Sequence, residues 1–387
     1  MKAVAVFPEE HALRLVEHRE PAILAPGDVV VRVLDVGFCG IDREIASFRT
    51  GSPPADSPYL ILGHEALGEV VEVGSAVRRI RPGDLVVPTV RRPCRHETCR
   101  ACRMGRPDFC LSGEYTQRGI KGAHGFLAER FSDDARWLQP VPRELRDVGV
   151  LTQPLALAET AIAELEQVQK RLPWAALGET GGSGKRAVVL GAGPVALLGA
   201  MALVVRGYKV TIYSRGGRSG RSGHGHGHGD GDGGRSGQAG KAEFAESLGA
   251  QFVRAEEEKL DSLIDRTGRI DVMLEATGAT PEALAAMEHL GRNGVYLMTG
   301  IPGRRGAFTL DAGNLLHGMV QRNQVIIGPA HPSAEAYRAA IQDLALFSRR
   351  WPGALARLIS SRMTIDHASE AFRKPASGLK QVVAVAD

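Results

Sequence analysis

The sequence has few aromatic residues, no long apolar run and only five cysteines. Aromatic residues make up 5% of the 387 residues, the net charge is +4, and no basic cluster interleaves with aromatics, so a nucleic-acid-binding surface is not indicated. No apolar run approaches the roughly 18 residues of a membrane span. The first residues, MKAVAVFPEE, lack the basic start and long apolar core of a signal peptide. We therefore expect a cytoplasmic protein with neither nucleic acid nor membrane as a partner.

Length and hydrophobic patterning predict an α/β fold with two domains. Valine-rich runs cut by glycine and Pro-Gly-Asp turns indicate a β-rich, barrel-like module over residues 1–153. From Arg186 the segments RAVVL, GAGPVA, LLGAMALVVRG and YKVTIYS predict a strand, a glycine turn, a helix and a second strand. Further alternation predicts a doubly wound parallel sheet over residues 154–332. We expect residues 333–387 to return to the first domain.

A glycine turn follows the first strand of the second domain. Residues 191–196, GAGPVA, match the pattern G-x-G-x-x-A. The first glycine allows a tight turn, the second lets the backbone approach a pyrophosphate, and the small third residue lets helix and strand pack closely. The pyrophosphate then lies at a helix N-terminus, which favours anions. The pattern predicts a dinucleotide site, with a glycine turn of an unrelated α/β protein as the alternative. We expect cofactor contacts from Gly191, Gly193, Pro194, Val195 and Thr277.

The end of the next strand indicates which dinucleotide is bound. An acidic residue about 20 residues after the glycines binds the ribose 2′-hydroxyl of NAD. Ser214 and Arg215 occupy this position, and Arg218 and Arg221 follow. A hydroxyl and guanidinium groups suit a 2′-phosphate, so we expect NADP, with NAD as the alternative. Arginines that are merely solvated would leave this choice open.

Four of the five cysteines lie close together in the sequence. Cys94, Cys99, Cys102 and Cys110 have the spacing C-x4-C-x2-C-x7-C. Four thiolates can close a tetrahedral zinc site that has no open position, so we predict a structural zinc lobe over about 91–112. Free thiols on a loop are the alternative, and His96 is a competing ligand.

The fifth cysteine, Cys39, precedes His64 by 25 residues, which alone is weak evidence for a metal site. However, residues 63–77, GHEALGEVVEVGSAV, resemble the signature of the zinc-containing medium-chain dehydrogenase/reductase superfamily. The resemblance extends over nearly the whole chain and includes Cys39, the four-cysteine lobe, the glycine turn and the tail GLKQVVAVAD. It implies a GroES-like catalytic domain and a Rossmann domain.

A narrower resemblance concerns the segments PTVRRPC, GEYTQRGIKGAHGF and QPLALAE. They are similar to the glucose 1-dehydrogenase branch, whose archaeal-type members oxidise aldoses with NADP or NAD. This resemblance implies a catalytic zinc bound by Cys39, His64 and Gln153, with Glu65 as a ligand or a close neighbour of the metal. A neutral glutamine in place of a third anion leaves the zinc more positive.

The resemblance also implies a reaction. Lewis acidity lowers the pKa of the anomeric hydroxyl of a sugar. The proton leaves through water or Glu65, and hydride passes from C1 to the nicotinamide, giving an aldonolactone. Members of the branch are commonly dimers or tetramers, so by analogy we expect a homo-oligomer.

The substrate side departs from the branch at three positions. Thr89 and Glu114 match positions that hydrogen-bond sugar hydroxyls, whereas Ile41 replaces a usual threonine, Leu157 an acid and His331 an asparagine. A pocket with fewer hydrogen-bond partners discriminates less strongly for hydroxyl-rich substrates. A polyol or another secondary alcohol is therefore the second hypothesis for the substrate. A protein that binds NADPH with little turnover is the third hypothesis.

The segment 216–240 has 12 glycines in 25 residues and includes SGHGHGHGDGDGG. It has almost no apolar residues, so we expect a disordered insertion in a loop rather than a metal centre. It begins directly after Ser214 and Arg215, at the loop expected to meet the 2′-phosphate.

Deletion of residues 219–236 therefore should leave the zinc content per chain unchanged, because the predicted ligands lie elsewhere. Elemental analysis of the purified variant beside the parent chain measures this. A fall in zinc per chain would instead make the histidine-glycine segment a metal site.

Overall fold

A computed structural model describes residues 1–177, 181–215, 233–302, 307, 309–329, 331–373 and 378–386. The chain forms two compact units, Met1–Ala156 with Ala330–Asp387, and Leu157–Pro329. The limits 1–153, 154–332 and 333–387 from the sequence stay predictions. Residues 216–232 of the predicted insertion lie outside the described residues, as do Arg218 and Arg221.

The first unit is built mainly from strands. Its strands are β1 (Lys2–Phe7), β2 (Ala12–Glu17), β3 (Asp28–Phe38), β4 (Leu60–Ile61), β5 (Glu65–Val73), β6 (Leu85–Pro88), β7 (Arg91–Arg92), β8 (Thr116–Arg118), β9 (Gly122–Ala123), β10 (Arg130–Asp134), β11 (Leu138–Val141), β18 (Ile359–Thr364) and β19 (Lys380–Ala384). Its helices are α1 (Gly40–Ala46), α2 (Arg100–Arg103), α9 (Ala334–Arg350), α10 (Ala354–Leu358) and α11 (Ile365–Arg373), and α3 (Thr152–Gln169) begins in it.

Strand β3 is the centre of the first unit. The sheet order is β11-β6-β5-β3-β19-β18, and β10 also pairs with β3. β3 is buried at nearly every position because it has neighbours along both edges, and its valines pack into the core of this unit. Two smaller sheets have the orders β2-β1-β4 and β7-β8-β9.

The register of β3 places the ends of three strands together. Gly37 pairs with Glu65, so the end of β3 lies beside the start of β5. Phe38 pairs with Gln381, which brings the start of β19 to the same place. Residues that follow β3 or precede β5 are therefore neighbours in space.

The second unit alternates strands and helices, as predicted. Its elements are β12 (Arg186–Leu190), α4 (Pro194–Val205), β13 (Lys209–Ser214), α5 (Gly233–Ser247), β14 (Gln251–Arg254), α6 (Leu260–Thr267), β15 (Ile270–Glu275), α7 (Thr280–Ala286), β16 (Leu290–Met298), α8 (Ala312–Arg322) and β17 (Val325–Ile327). The strands are parallel, in the order β14-β13-β12-β15-β16-β17. The order reverses beside β12, so the glycine turn after β12 lies at the position where such sheets bind ligands.

The disorder predicted for segment 216–240 stays a prediction, although a helix begins inside this segment. Helix α5 begins at Gly233 and continues to Ser247. Phe244, Ala245 and Leu248 are buried in this unit. Once packing stabilises the C-terminal turns, each further helical residue adds a hydrogen bond at low cost, which explains why the helix extends into a glycine-rich stretch.

Among the described residues, no helix is both long enough and apolar enough to cross a membrane.

Candidate active site

Cys39 and His64 meet where β3 ends and β5 begins. The distance from Cys39 Sγ to His64 Nε2 is 3.5 Å, and both side chains lie in a largely buried place. A sulfur and a nitrogen bound to one zinc at about 2.3 and 2.0–2.1 Å are separated by about 3.5 Å in tetrahedral geometry. Gly63 precedes His64 with φ of 85°, and an added Cβ there would lie 2.7 Å from Val36, so only glycine fits this turn.

Asp42 orients both of these residues, and sequence reasoning missed it. Its carboxylate accepts a hydrogen bond from the Cys39 backbone N–H at 2.9 Å and contacts His64 Nδ1 at 3.1 Å. Asp42 is fully buried in α1. A bond from Nδ1 to a carboxylate leaves Nε2 free to bind a metal and makes it more basic. The one available signal was an acid three residues after Cys39.

The charges around His64 favour a cation. Burial alone would lower the pKa of His64, but Asp42 and Cys39 outweigh it and raise this pKa well above its ordinary value. Burial would likewise raise the pKa of Asp42, but His64 outweighs it and the pKa is lowered. A metal ion bound to Nε2 would be stabilised by the same negative charges that favour a proton on this atom.

Glu65 is also buried, but a cation already neutralises it. Lys380 Nζ donates to the Glu65 carboxylate at 2.5 Å, and each side chain is 2% exposed. Burial would lower the pKa of Lys380, but Glu65 and Cys39 outweigh it and raise it. An added Cβ at Gly37 would lie 2.5 Å from the Glu65 carboxylate, so this glycine makes room for the pair. The pairing joins positions 315 apart in sequence, and sequence reasoning did not find it.

Gln153 lies in the first turn of α3 and is buried. Its Oε1 has no hydrogen-bond partner among the described residues. An unpaired buried amide oxygen costs about 1–3 kcal/mol, so a cation bound to this oxygen would remove a penalty.

These residues fit a zinc ion. The donor atoms of Cys39, His64 and Glu65 lie within 4.8 Å of one another. A thiolate, an imidazole and an oxygen are accepted zinc ligands. Because Lys380 balances Glu65, the thiolate of Cys39 and the carboxylate of Asp42 remain as two negative charges for one divalent ion.

The four cysteines of the predicted lobe come together as a second group. All four sulfur atoms lie within 4.8 Å of one another, close to the separations of about 3.8 Å expected around one zinc. Burial would raise the pKa of Cys110, but hydrogen bonds from Ser112 and Cys102 outweigh it and lower this pKa to about 6. His96 contacts the Glu114 carboxylate at 2.8 Å and does not belong to the sulfur group.

The predicted substrate residues differ in their surroundings. Thr89 is buried, and its Oγ1 receives a long hydrogen bond of 3.4 Å from Arg92. Glu114 is exposed and pairs with His96.

His331 Nδ1 is buried without a partner in the described part of the chain, and burial, Arg91 and His64 lower the pKa of His331 to about 3. Ile41 packs against the apolar core of the first unit. Leu157 is half-buried and starts the second unit.

The glycine turn of the second unit leaves room for a ligand. Gly191 has φ of 107°, and an added Cβ would lie 2.9 Å from Thr277 Cγ2. At Gly193, which caps α4, an added Cβ would have no atom within 4 Å among the described residues. Pro194 and Val195 form the first turn of α4 and are half-buried. The open space in front of free helix N–H groups fits a pyrophosphate.

Ser214 ends β13, and Arg215 follows it exposed to solvent. Ser214 Oγ donates to the Arg215 carbonyl at 3.3 Å, a long bond that a phosphate oxygen can replace. No acid stands at this strand end, as the sequence indicated.

Comparison with known families agrees with this architecture. The alcohol dehydrogenase GroES-like domain family matches residues 25–143, and the glucose dehydrogenase C-terminus family matches residues 233–385. Both matches confirm the predicted fold class and the predicted resemblance.

Individual relatives match over the full length. Glucose 1-dehydrogenase of Methanocella arvoryzae is 34% identical over 386 residues, covering 100% of this chain and 99% of the relative. That of Thermoproteus tenax is 35% identical over 387 residues, with coverage of 100% and 99%. The structure of Haloferax mediterranei glucose dehydrogenase in complex with NADP, Zn and gluconolactone superposes with a TM-score of 0.83 at 28% identity, covering 100% of both chains.

The contact between Asp42 and His64 gives a test of the metal centre. We expect Asp42→Asn to weaken zinc binding at the Cys39 site by 10–100-fold, because the imidazole loses its anionic partner. Competition with a chromogenic chelator measures the affinity, and the four-cysteine zinc should stay bound. Glu44→Gln on the same helix is the matched control. Equal zinc affinity in Asp42→Asn and the control would contradict the role given to Asp42.

Proposed function

Because the chain belongs to the glucose 1-dehydrogenase family of zinc-containing dehydrogenases, we propose that it oxidises a glucose-type aldose at C1, with NADP as the hydride acceptor and an aldonolactone as the product. The observation that carries the proposal is the group of donor atoms from Cys39, His64 and Glu65, which lie within 4.8 Å of one another. The buried and unpartnered oxygen of Gln153 supports this residue as a further ligand. The Haloferax relative, solved with NADP, Zn and gluconolactone, supports the same substrate and cofactor class.

Cys39, His64 and Gln153 hold the catalytic zinc in this proposal. When bound, zinc supplies Lewis acidity toward a substrate oxygen. Asp42 contacts His64 Nδ1 at 3.1 Å, so that Nε2 would be free to bind the metal. The neutral Gln153 oxygen adds no charge, so the donor set keeps the ion electrophilic.

Glu65 is the residue proposed to accept the proton of the substrate hydroxyl, directly or through water. Ile41 offers no hydroxyl to pass a proton, so this route relies on the carboxylate and on water. Lys380 donates a hydrogen bond of 2.5 Å to the Glu65 carboxylate and so fixes its position.

Three side chains are proposed to position the sugar. Thr89 has a hydroxyl proton to donate, since among the described residues its oxygen receives only the long bond from Arg92. His331 is neutral at physiological pH because of its low pKa, so its unpartnered Nδ1 can bond a sugar hydroxyl without adding charge. Glu114 can bond a hydroxyl after it exchanges its exposed contact with His96. Exposed polar contacts of this kind contribute little to stability, so Glu114 can exchange His96 for a sugar hydroxyl at low cost.

NADP is proposed to bind the second unit. Its pyrophosphate lies at the turn of Gly191 and Gly193, with Pro194, Val195 and Thr277 around it. Ser214 and Arg215 bond the 2′-phosphate, since no acid stands there to bind the 2′-hydroxyl of NAD. NAD is then a poorer acceptor.

One observation favours a second substrate class. Ile41 is apolar and packs against the core, where a hydroxyl is usual in the resembling branch. A polyol or secondary alcohol demands fewer hydrogen bonds than an aldose. The intact metal donor set argues against a protein that only binds NADPH, because binding the dinucleotide alone needs no metal ligands.

The cellular location and the oligomeric state of the protein are also proposals. The five free cysteines fit a reducing compartment, which supports a cytoplasmic location. Homo-oligomers, as dimers or tetramers, are proposed by analogy with the resembling branch.

Cys39→Ser tests the proposed reaction. We expect the parent chain to reduce NADP with D-glucose or another aldose, and the variant to lose this activity while it keeps the four-cysteine zinc. The measurement is NADPH absorbance with a panel of aldoses, polyols and secondary alcohols. Turnover with polyols but no aldose would establish the second substrate class, and equal activity in Cys39→Ser would refute the metal mechanism.

Arg215→Ala tests the cofactor preference. We expect about a 10–100-fold weaker Kd for NADPH and little change for NADH, because a charge-assisted hydrogen bond is worth about 1.5–3 kcal/mol. Fluorescence titration of the reduced cofactors gives both constants. Lys209→Ala, exposed at the opposite end of β13, is the control. A loss of the same size for NADH and NADPH would exclude a contact with the 2′-phosphate.

A further inference from the structure

The first unit contains a cationic cavity that shares no residue with the metal donors. Its volume is about 430 Å³, and its charged lining side chains are Arg19, Arg118, Arg130 and one acid, Glu20. Met1, whose terminal amine contacts Glu20 at 3.8 Å, also lines it. His18 and His124 also line it. The volume lies within the range of cavities that bind small molecules.

Arg118 has no counter-ion of its own. Its guanidinium lies over the rings of Phe126 and Phe131, at 4.8 and 5.8 Å from their centroids. It makes no hydrogen bond or ion pair with a side chain among the described residues, and its Nε is buried without a partner. The nearby acid, Asp133, pairs with Arg92. Arg118 is half-buried and lines the cavity, so its guanidinium keeps N–H groups that can bond a ligand there.

Close backbone packing sets the position of the segment that follows Arg118. The turn after β8 starts at Gly119, where an added Cβ would lie 2.5 Å from the Gly63 carbonyl oxygen. At Gly125 the corresponding distance to the Leu62 carbonyl oxygen is 2.2 Å. Two glycines thus let the segment 119–125 pack directly on the backbone before β5, and Arg118 and His124 stand at its two ends.

His124 adds a neutral donor. The Ile61 backbone N–H donates to His124 Nδ1 at 3.2 Å, so in the neutral ring the proton lies on Nε2. Burial, His18 and Arg118 lower the pKa of His124 to about 4. The ring is therefore neutral at physiological pH, and its Nε2–H can donate a hydrogen bond.

We propose that this cavity binds a small oxyanion, the phosphate or carboxylate group of a small molecule, on the guanidinium of Arg118. The planar guanidinium offers paired N–H groups that match two oxygens of either anion. Arg19 and Arg130 raise the local positive charge at the cavity, and His124 donates a further hydrogen bond. Arg130 contacts Glu20 at 3.3 Å, an exposed pair that an incoming anion can displace.

Inorganic phosphate is the first probe for this site, and acetate, titrated separately, is the second probe and represents a carboxylate. Calorimetric titration uses zinc-loaded, NADPH-saturated protein at constant ionic strength, so that the dinucleotide site is already filled. We expect saturable binding of at least one anion and at least a tenfold weaker Kd in Arg118→Met, because the bidentate charged contact is lost. Arg14→Met is the matched control, since Arg14 also stacks on a phenylalanine, at 3.9 Å from Phe7, away from this cavity.

Arg130→Gln is the second variant, and it keeps the test decisive if Arg118→Met does not fold. It should weaken binding in the same direction by a smaller factor, while Arg14→Met binds as the parent does. Binding of phosphate alone or acetate alone, lost in the cavity variants, supports the site and identifies the anion. If the cavity holds only water, neither anion will show saturable binding. If an anion binds Arg118→Met and Arg130→Gln as tightly as the parent chain, its site lies outside the cavity. Either result overturns the proposal.

Discussion

Charge balance in one buried pocket is the constraint on which the catalytic unit depends. Asp42 and Cys39 place two negative charges beside His64, and Lys380 cancels the third, on Glu65. Charges buried in this way are tolerated only when they are paired or bind metals. A divalent ion completes the balance, so the folding of this region and the binding of the metal are coupled.

The sheet makes this pocket possible. Strand β3 pairs with β5 and β19 in a register that brings Cys39, Glu65 and Lys380 to one place. Gly37 leaves the space that the Glu65 carboxylate occupies. Strand β19 thus contributes the charge of Lys380 to the candidate metal site as well as hydrogen bonds to the sheet. A change of register by one residue would move these side chains to the opposite face.

The sequence predicted the features whose residues are adjacent in the chain, and it did not predict contacts between residues that only the fold brings together. The parallel sheet and its glycine turn, residues 191–196, were predictable because strand, turn and helix adjoin in the chain. Glu65 was recognised beside His64, but its partner Lys380 is 315 residues away and has no local signature. Helix α5 begins at Gly233, inside the segment whose glycine content predicted disorder, because composition does not show where a helix that packs further along the chain begins. The roles of Thr89, Glu114 and His331 stay predictions, since substrate contacts depend on spacing between loops that no local pattern encodes.

Anomalous diffraction at the zinc absorption edge, on crystals of the zinc-loaded protein, tests the central claim most directly. The account predicts two zinc peaks per chain, one between Cys39 Sγ and His64 Nε2 and one inside the four-cysteine lobe. A single peak in the four-cysteine lobe, with His64 Nε2 free of metal, would contradict it.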